Sequence, residues 1–367
     1  FCNMSISEIT CTSPVNIAVI KYWGKRDTKL NLPINSSLSG TLDQNDLRTE
    51  TTASFLPEGE NDKIILNGKE EDINNPRIQT VLKSIRSRAS PDVASRPLSL
   101  VSSNNFPTAA GLASSASGYC AMVFAVSKLL GVEGEVSDIA RQGSGSATRS
   151  LYGGFVKWEM GDKDDGSDSI AVQVVDENHW EDMEVLILVA CADKKKVAST
   201  AGMQETVKTC PGIEERIKIV PGRMTAMEKA IKEKDFDKFA ELTMVDSDHF
   251  HELCHTTVPP IYYMNEVSHN VVKLVNEFNK EETKAAYTFD AGPNAVIYLP
   301  RKYVKEFLAH VVKIFPPENF ENFINNEQLL NDARNLETSK LETPTVMAGG
   351  LKNIIYTRVG GGPDVVC

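Results

Sequence analysis

The run from Met183 to Ala192 is almost unbroken in apolar residues, and Val185 to Ala192 is the most apolar stretch of the chain. A half-exposed strand alternates polar and apolar residues, so a continuous run reads as a strand buried on both faces. It is far short of the roughly 20 residues that a membrane helix needs. Beyond it come helical patterns over Glu214 to Lys234, Phe236 to Cys254 and Tyr303 to Ile314, with strands at Ala285 to Phe289 and Ala295 to Leu299. That order predicts an α+β region. At roughly 150 residues per domain, a chain of 367 residues divides into about two, and the boundary is expected near the apolar strand, giving domains over 4–190 and 191–367.

The first part opens with short strands at Ile6 to Ser13, Ile17 to Tyr22 and Leu47 to Phe55, and Ile64 to Leu66 leads into the Asn67-Gly68 turn signal. Gly40 occupies a strand position, where glycine weakens the strand interior. Pro76 opens a helix over Arg77 to Arg88, with Ile78, Val81, Leu82 and Ile85 at helical spacing. A longer helix begins just after Gly111 and runs to about Leu130, with Ala116, Tyr119, Cys120, Val123, Val126 and Leu130 on one stripe and Gly131 as its stop. It must pack against the sheet. Asp162 to Ser169, rich in Asp and Gly, reads as an exposed loop.

With 39 Lys+Arg against 50 Asp+Glu the net charge is -11, so neither nucleic acid nor an anionic membrane surface is an expected partner, and an anion site must be local. Seven cysteines without a CxxC pair do not form a disulfide framework and point to a reducing compartment. Phe1, Cys2 and Asn3 precede Met4 without the features of a secretory signal, so the expected location is cytoplasmic.

The segment from Pro107 through Thr108, Ala109, Ala110, Gly111, Leu112, Ala113, Ser114 and Ser115 to Ala116 is a small-residue loop feeding the long helix. Small side chains let backbone N–H groups approach an anion, and the helix N-terminus adds partial positive charge. Ser114 and Ser115 offer hydroxyls to a phosphate or a metal ion, although the same residues suit an ordinary serine-capped helix start. A second anion candidate runs through Gly143, Ser144, Gly145, Ser146, Ala147, Thr148 and Arg149. The guanidinium fork of Arg149 matches a carboxylate or a phosphate, and a flexible linker is the alternative reading. Near the start, Asn16 to Arg26 ends an apolar strand with Lys21, Tyr22, Trp23, Gly24 and Lys25. The lysines suit phosphates and the two aromatics suit a pocket wall; a solvated basic turn is the plainer alternative. Asp290, at a strand end before Gly292 and Pro293, is placed to accept or orient a hydroxyl proton if a lysine keeps it ionised, or else to form an Asx-turn.

His251-Glu252-Leu253-Cys254-His255 matches the zinc-protease pattern HExxH. The longer metzincin pattern fails at Val258 and Ile261, and Pro259 and Pro260 end the helix. Phe250, Leu253 and Cys254 form the apolar stripe, which leaves His251 and His255 on a solvated flank.

Together these segments resemble the diphosphomevalonate decarboxylase family, also called mevalonate diphosphate decarboxylase, of the GHMP kinase superfamily. The resemblance is carried by Pro14 to Lys25, Asn31 to Ser37, Asn67 to Arg77, Phe106 to Ala116, Gly143 to Trp158, Ala192 to Met203, Pro259 to Ile261 and Tyr287 to Ala295, and it covers about Ile9 to Gly362. It implies an α+β GHMP kinase fold, with an N-terminal domain like ribosomal S5 domain 2, a C-terminal ferredoxin-like domain, a cleft between them and assembly as a homodimer. It also implies conversion of mevalonate 5-diphosphate and ATP, with Mg2+, to isopentenyl diphosphate, CO2, ADP and phosphate. By matching positions, Asp290 acts on the C3 hydroxyl, Arg149 holds the substrate carboxylate, Asn16 orients Arg149 and Lys21 lies near the reacting groups. The diphosphate end and its surroundings fall to Tyr22, Trp23, Gly24, Lys25, Arg77, the Ser144 to Thr148 loop, Ser199 and Thr200. The ATP phosphate loop covers Pro107 and Ala110 to Ser115, with Ser115 toward the metal. A kinase of the same superfamily that does not decarboxylate is the nearest rival, and a carboxylate clamp at Arg149 is what separates the two.

Overall fold

The computed structural model describes residues 7–106, 114–191 and 197–366. The first half runs β1 (Glu8–Pro14), β2 (Asn16–Ile20), β3 (Lys25–Asp27), β4 (Leu32–Pro33), β5 (Ser37–Thr41), β6 (Arg48–Phe55), β7 (Lys63–Leu66), β8 (Lys69–Glu71), α1 (Pro76–Arg86), α2 (Pro91–Ala94), β9 (Leu98–Asn104), α3 (Ser114–Leu129), α4 (Ser137–Gly143), a 3-10 turn over Gly145–Leu151, β10 (Phe155–Trp158) and β11 (Ala171–Val175). The second half runs β12 (Met183–Ala190), α5 (Ser199–Thr209), α6 (Ile213–Glu233), α7 (Phe236–Thr256), α8 (Glu266–Phe278), β13 (Ala286–Phe289), β14 (Ala295–Pro300), α9 (Arg301–Ile314), α10 (Glu327–Arg334), β15 (Leu351–Arg358) and β16 (Asp364–Val365).

The first sheet has the order β16-β1-β6-β9-β7-β8 and is antiparallel except where β7 runs parallel to β9. Helix α3 lies on it, and α1 and α4 pack beside α3 in the same core. The expected stripe of α1, Ile78, Val81, Leu82 and Ile85, is buried in this core, as are Cys120, Val123 and Val126 of α3. Pro76 opens α1, and the Asn75 side chain accepts a hydrogen bond from the Arg77 N–H, so the missing donor of proline costs nothing there.

A second sheet, β11-β10-β5-β2, and a third, β13-β14-β12-β15, share the core that positions the site. Strand β12 lies between β14 and β15, antiparallel to both. Its residues Met183, Val185, Ile187 and Val189 pack with the second sheet and with α6 and α7. Leu186, Leu188 and Ala190 pack with α8 and α9 on the other side. This is why the run lacks alternation: neither face of the strand meets water. Its one charged residue, Glu184, is buried and paired with Arg301 at 2.6 Å.

Gly40 marks a close approach between these sheets. A Cβ added there would lie 2.9 Å from the Tyr298 hydroxyl of β14. That hydroxyl donates to the Ile17 carbonyl of β2 at 3.1 Å. The strand weakness of glycine is offset by the room it gives this contact.

Candidate active site

Strand β2 delivers Lys21 to the interior. Its ammonium donates to the Asp290 carboxylate at 2.6 Å and to the Ala18 carbonyl at 2.8 Å. The Lys21 side chain is 3% exposed and that of Asp290 42%, so the carboxylate faces the open side and the ammonium backs it. Burial lowers the Lys21 pKa and the Asp290 charge opposes that shift. Asp290 follows β13 at the start of a turn, as its place in the sequence requires.

Arg149 enters from the 3-10 turn that follows α4, which replaces the flexible linker considered above. Its Nε donates to Ser39 Oγ at 2.9 Å and to Asn16 Oδ1 at 3.3 Å, and one terminal nitrogen donates to Ser37 Oγ at 2.6 Å. Asn16 is itself fixed, since its amide donates to the Ser146 carbonyl and the Ser150 hydroxyl. All these partners are neutral. Burial pulls the Arg149 pKa to about 10, with Asp290 and Tyr22 opposing. The close wall beside it depends on Gly145, where a Cβ would come within 2.8 Å of both Tyr22 and Trp158. Ala147 and Thr148 are buried behind the guanidinium, while Ser144 and Ser146 are half-buried.

A second group of cations lies beside the first. Tyr22 packs its ring edge on Trp158 at 4.7 Å, and its buried hydroxyl has no hydrogen-bond partner among the described residues. Burial raises its pKa, against the pull of Arg149 and Arg77. Gly24 turns the chain at φ 107°, and Lys25 follows with its pKa lowered to about 8 by burial and then by Arg77. Arg77 in turn donates to the Thr200 hydroxyl at 3.2 Å, next to Ser199 at the start of α5. Two cations that repel each other over an unpartnered phenol make a place suited to a multiply charged anion.

Two expectations are corrected. Trp23 does not wall the pocket: it is 2% exposed, packs on Phe250 and Tyr263, and spends its indole N–H on Thr206 at 3.0 Å. His251 does not lie on a solvated flank. It is 3% exposed, between Phe250 and Phe289, and burial lowers its pKa to about 3. Its ring centroid is 6.5 Å from that of His255, and Glu252 is exposed. Pro107, Ala110, Gly111, Leu112 and Ala113 lie outside the described residues; Ser114 and Ser115 open α3, half-buried and exposed respectively. Ser37 and Ser39 were not singled out as site residues, although their alternation on β5 aims both hydroxyls to one side.

Two sheets share one core beside the buried Lys21 and Arg149 and the accessible Asp290 carboxylate, and the whole is an enzyme of the α+β GHMP kinase fold, the fold of the solved structures that it matches. Residues 13–171 match the diphosphomevalonate decarboxylase-like N-terminal domain, and residues 185–366 match the mevalonate 5-diphosphate decarboxylase C-terminal domain. The chain belongs to the mevalonate diphosphate decarboxylase family. It is 51% identical to the diphosphomevalonate decarboxylase of Rattus norvegicus, over 98% of this chain and 93% of that protein. A solved mevalonate diphosphate decarboxylase from Trypanosoma brucei superposes with a TM-score of 0.93 at 40% identity, covering 98% of each chain. A further solved structure, MDDEF in complex with MVAPP, AMPPCP and magnesium, superposes with a TM-score of 0.79 at 30% identity, again over 98% of each chain.

Proposed function

We infer that this enzyme carries out the ATP-dependent decarboxylation of mevalonate 5-diphosphate to isopentenyl diphosphate, releasing CO2, ADP and phosphate. The observation that carries the reading is the accessible Asp290 carboxylate, held by the buried Lys21 ammonium and facing a buried Arg149 that has only neutral partners. The family supports it, and so does the related complex that holds MVAPP, AMPPCP and magnesium.

The chemistry follows from these groups. A tertiary hydroxyl leaves poorly, so it is first phosphorylated. Asp290 takes the C3 hydroxyl proton as the oxygen attacks the γ-phosphorus of ATP and the bond to ADP breaks. Lys21 holds the Asp290 carboxylate in place and balances charge on the incoming phosphoryl group. The C3–O bond then breaks with its electron pair leaving on phosphate. The electrons of the bond to the carboxyl carbon become the new double bond, and CO2 departs. Arg149, oriented by Asn16, Ser37 and Ser39, holds the carboxylate for that step and supplies the charge its own surroundings leave unmatched.

Tyr22, Lys25, Arg77, Ser199, Thr200 and the Ser144 to Thr148 loop serve the diphosphate end, with Gly24 turning the chain beneath it. The ATP phosphates fall to the segment from Pro107 to Ser115, and Ser115 offers an exposed hydroxyl oxygen, a hard donor suited to Mg2+. No three His, Cys, Asp or Glu side chains converge as ligands among the described residues. When bound, the ion neutralises charge on the transferred group. We divide the chain between β11 and β12, earlier than the expected boundary after residue 190, since among the described residues β12 pairs only with strands that follow it. Assembly as a cytoplasmic homodimer completes the proposal; among the described residues no helix is long and apolar enough to cross a membrane.

The test is incubation with mevalonate 5-diphosphate, ATP and Mg2+, following CO2 and ADP together with an Asp290→Asn control. Equal amounts of both products, lost in the control, are expected. ADP without CO2 would replace this reading with a kinase, and neither product would reject it.

A further inference from the structure

Lys21 lies just beyond the end of β2, where side chains hold its peptide. Its N–H donates to Asp246 Oδ2 at 2.7 Å. Its carbonyl accepts from Arg216 at 2.9 Å and from the Asn35 amide at 3.1 Å. Arg216 and Asp246 are fully buried and paired through two bonds, at 2.6 and 3.0 Å, and Arg223 donates to the same carboxylate at 2.9 Å. The next residue, Ser247, is also fully buried, and its hydroxyl accepts the N–H of Phe289 at 3.0 Å, one residue before Asp290. Asp248 accepts the Tyr287 hydroxyl from the same strand at 2.8 Å. Consecutive side chains of α7 therefore hold the backbones that carry both members of the Lys21–Asp290 pair.

A buried ion pair is weak as a stabilising device, since well-packed apolar residues of similar volume often serve as well or better. Here the pair satisfies both backbone polar groups of Lys21 and fixes where its ammonium ends. We propose that Asp246 and Ser247, with Arg216, are positioning residues of the reaction: one turn of α7 sets the Lys21 ammonium against the Asp290 carboxylate. This rests on the reading of Asp290 as the group that acts on the C3 hydroxyl. Small displacements at reacting groups lower kcat more than they weaken binding made elsewhere.

The test begins with wild-type turnover, measured as CO2 and ADP. Ser247→Ala is expected to lower kcat roughly tenfold while KM for mevalonate 5-diphosphate stays within about twofold, with Ser247→Thr recovering most of the loss. Asp246→Asn moves the alkaline limb of kcat/KM to lower pH. It removes a negative charge that favours the Lys21 ammonium, while Asp290, Arg149, Arg216 and His251 still face it. If Asp246→Asn fails to fold, the Ser247 pair decides alone. Variants that melt earlier, yet keep the wild-type kcat per folded molecule and the wild-type pH profile, would overturn the positioning role. A wild type that releases no CO2 would overturn the reaction itself, and this inference with it.

Discussion

Arg149 and Arg216 are both almost wholly buried, yet their surroundings are opposite. Arg216 meets a carboxylate, a carbonyl and a histidine nitrogen, and the Asp246 charge cancels its own. Burial alone would raise the Asp246 pKa, and Arg216 overrides this to hold it low. Arg149 meets an amide oxygen and two hydroxyls, which orient a guanidinium without neutralising it. A buried cation whose hydrogen-bond partners are all neutral is costly, and on the proposed reading an anion arrives from outside to meet it. On that reading the two arginines separate a group that holds backbone in place from one that meets a ligand.

The largest expected effect is at the carboxylate that faces Lys21 and Arg149. Asp290→Ala should lower kcat by roughly 10³ to 10⁴ while substrate binding is mostly kept, and steady-state kinetics with direct binding measurements check both. A large rise in KM at unchanged kcat would contradict that role. Next, Arg216→Met leaves Asp246 buried and unpaired, which should cost about 3–5 kcal/mol in denaturant unfolding, with most of it restored in the double variant Arg216→Met, Asp246→Leu. Arg149→Gln should do the reverse, lowering kcat/KM roughly 10² to 10³ without loss of stability. If it unfolds as readily as Arg216→Met, the contrast between the two arginines fails. The smallest effect concerns pH. With its pKa drawn down to about 8, Lys25 loses its charge as pH rises through that value. KM for the substrate should therefore climb severalfold above about pH 8, and Lys25→Arg should flatten the rise because a guanidinium stays charged.

The apolar strand, the long helix of the first region and Asp290 at its strand end were all legible, because each follows from local periodicity or turn chemistry. A strand at Gly40 was legible too, but the burial of its polar side was not, since its sequence, Ser37-Leu38-Ser39-Gly40-Thr41, is polar at alternate positions yet buried throughout. Its polar side is turned toward Arg149, a partner more than a hundred positions away. Asp246 and Ser247 were hidden for a related reason. On a helix of ordinary charge content they look solvated, and only their place on the buried face of α7, between Thr243 and Phe250, sets them apart. His251 was misread because two aromatic neighbours, one of them from β13, close over it. Trp23 shows the same limit: an aromatic next to cations suits a pocket wall until tertiary packing supplies Phe250 and Tyr263.

The last strand pairs with the first: Thr12 lies opposite Asp364 and Cys11 opposite Val365, and the Val366 N–H reaches the Thr10 carbonyl at 2.8 Å. In the order of synthesis β1 precedes β16, the strand that covers its outer edge. Until β16 emerges, that edge is an open template for other chains. Completing the first sheet thus waits on β16, and a deletion of β16 acts on the first strand rather than on the nearby one.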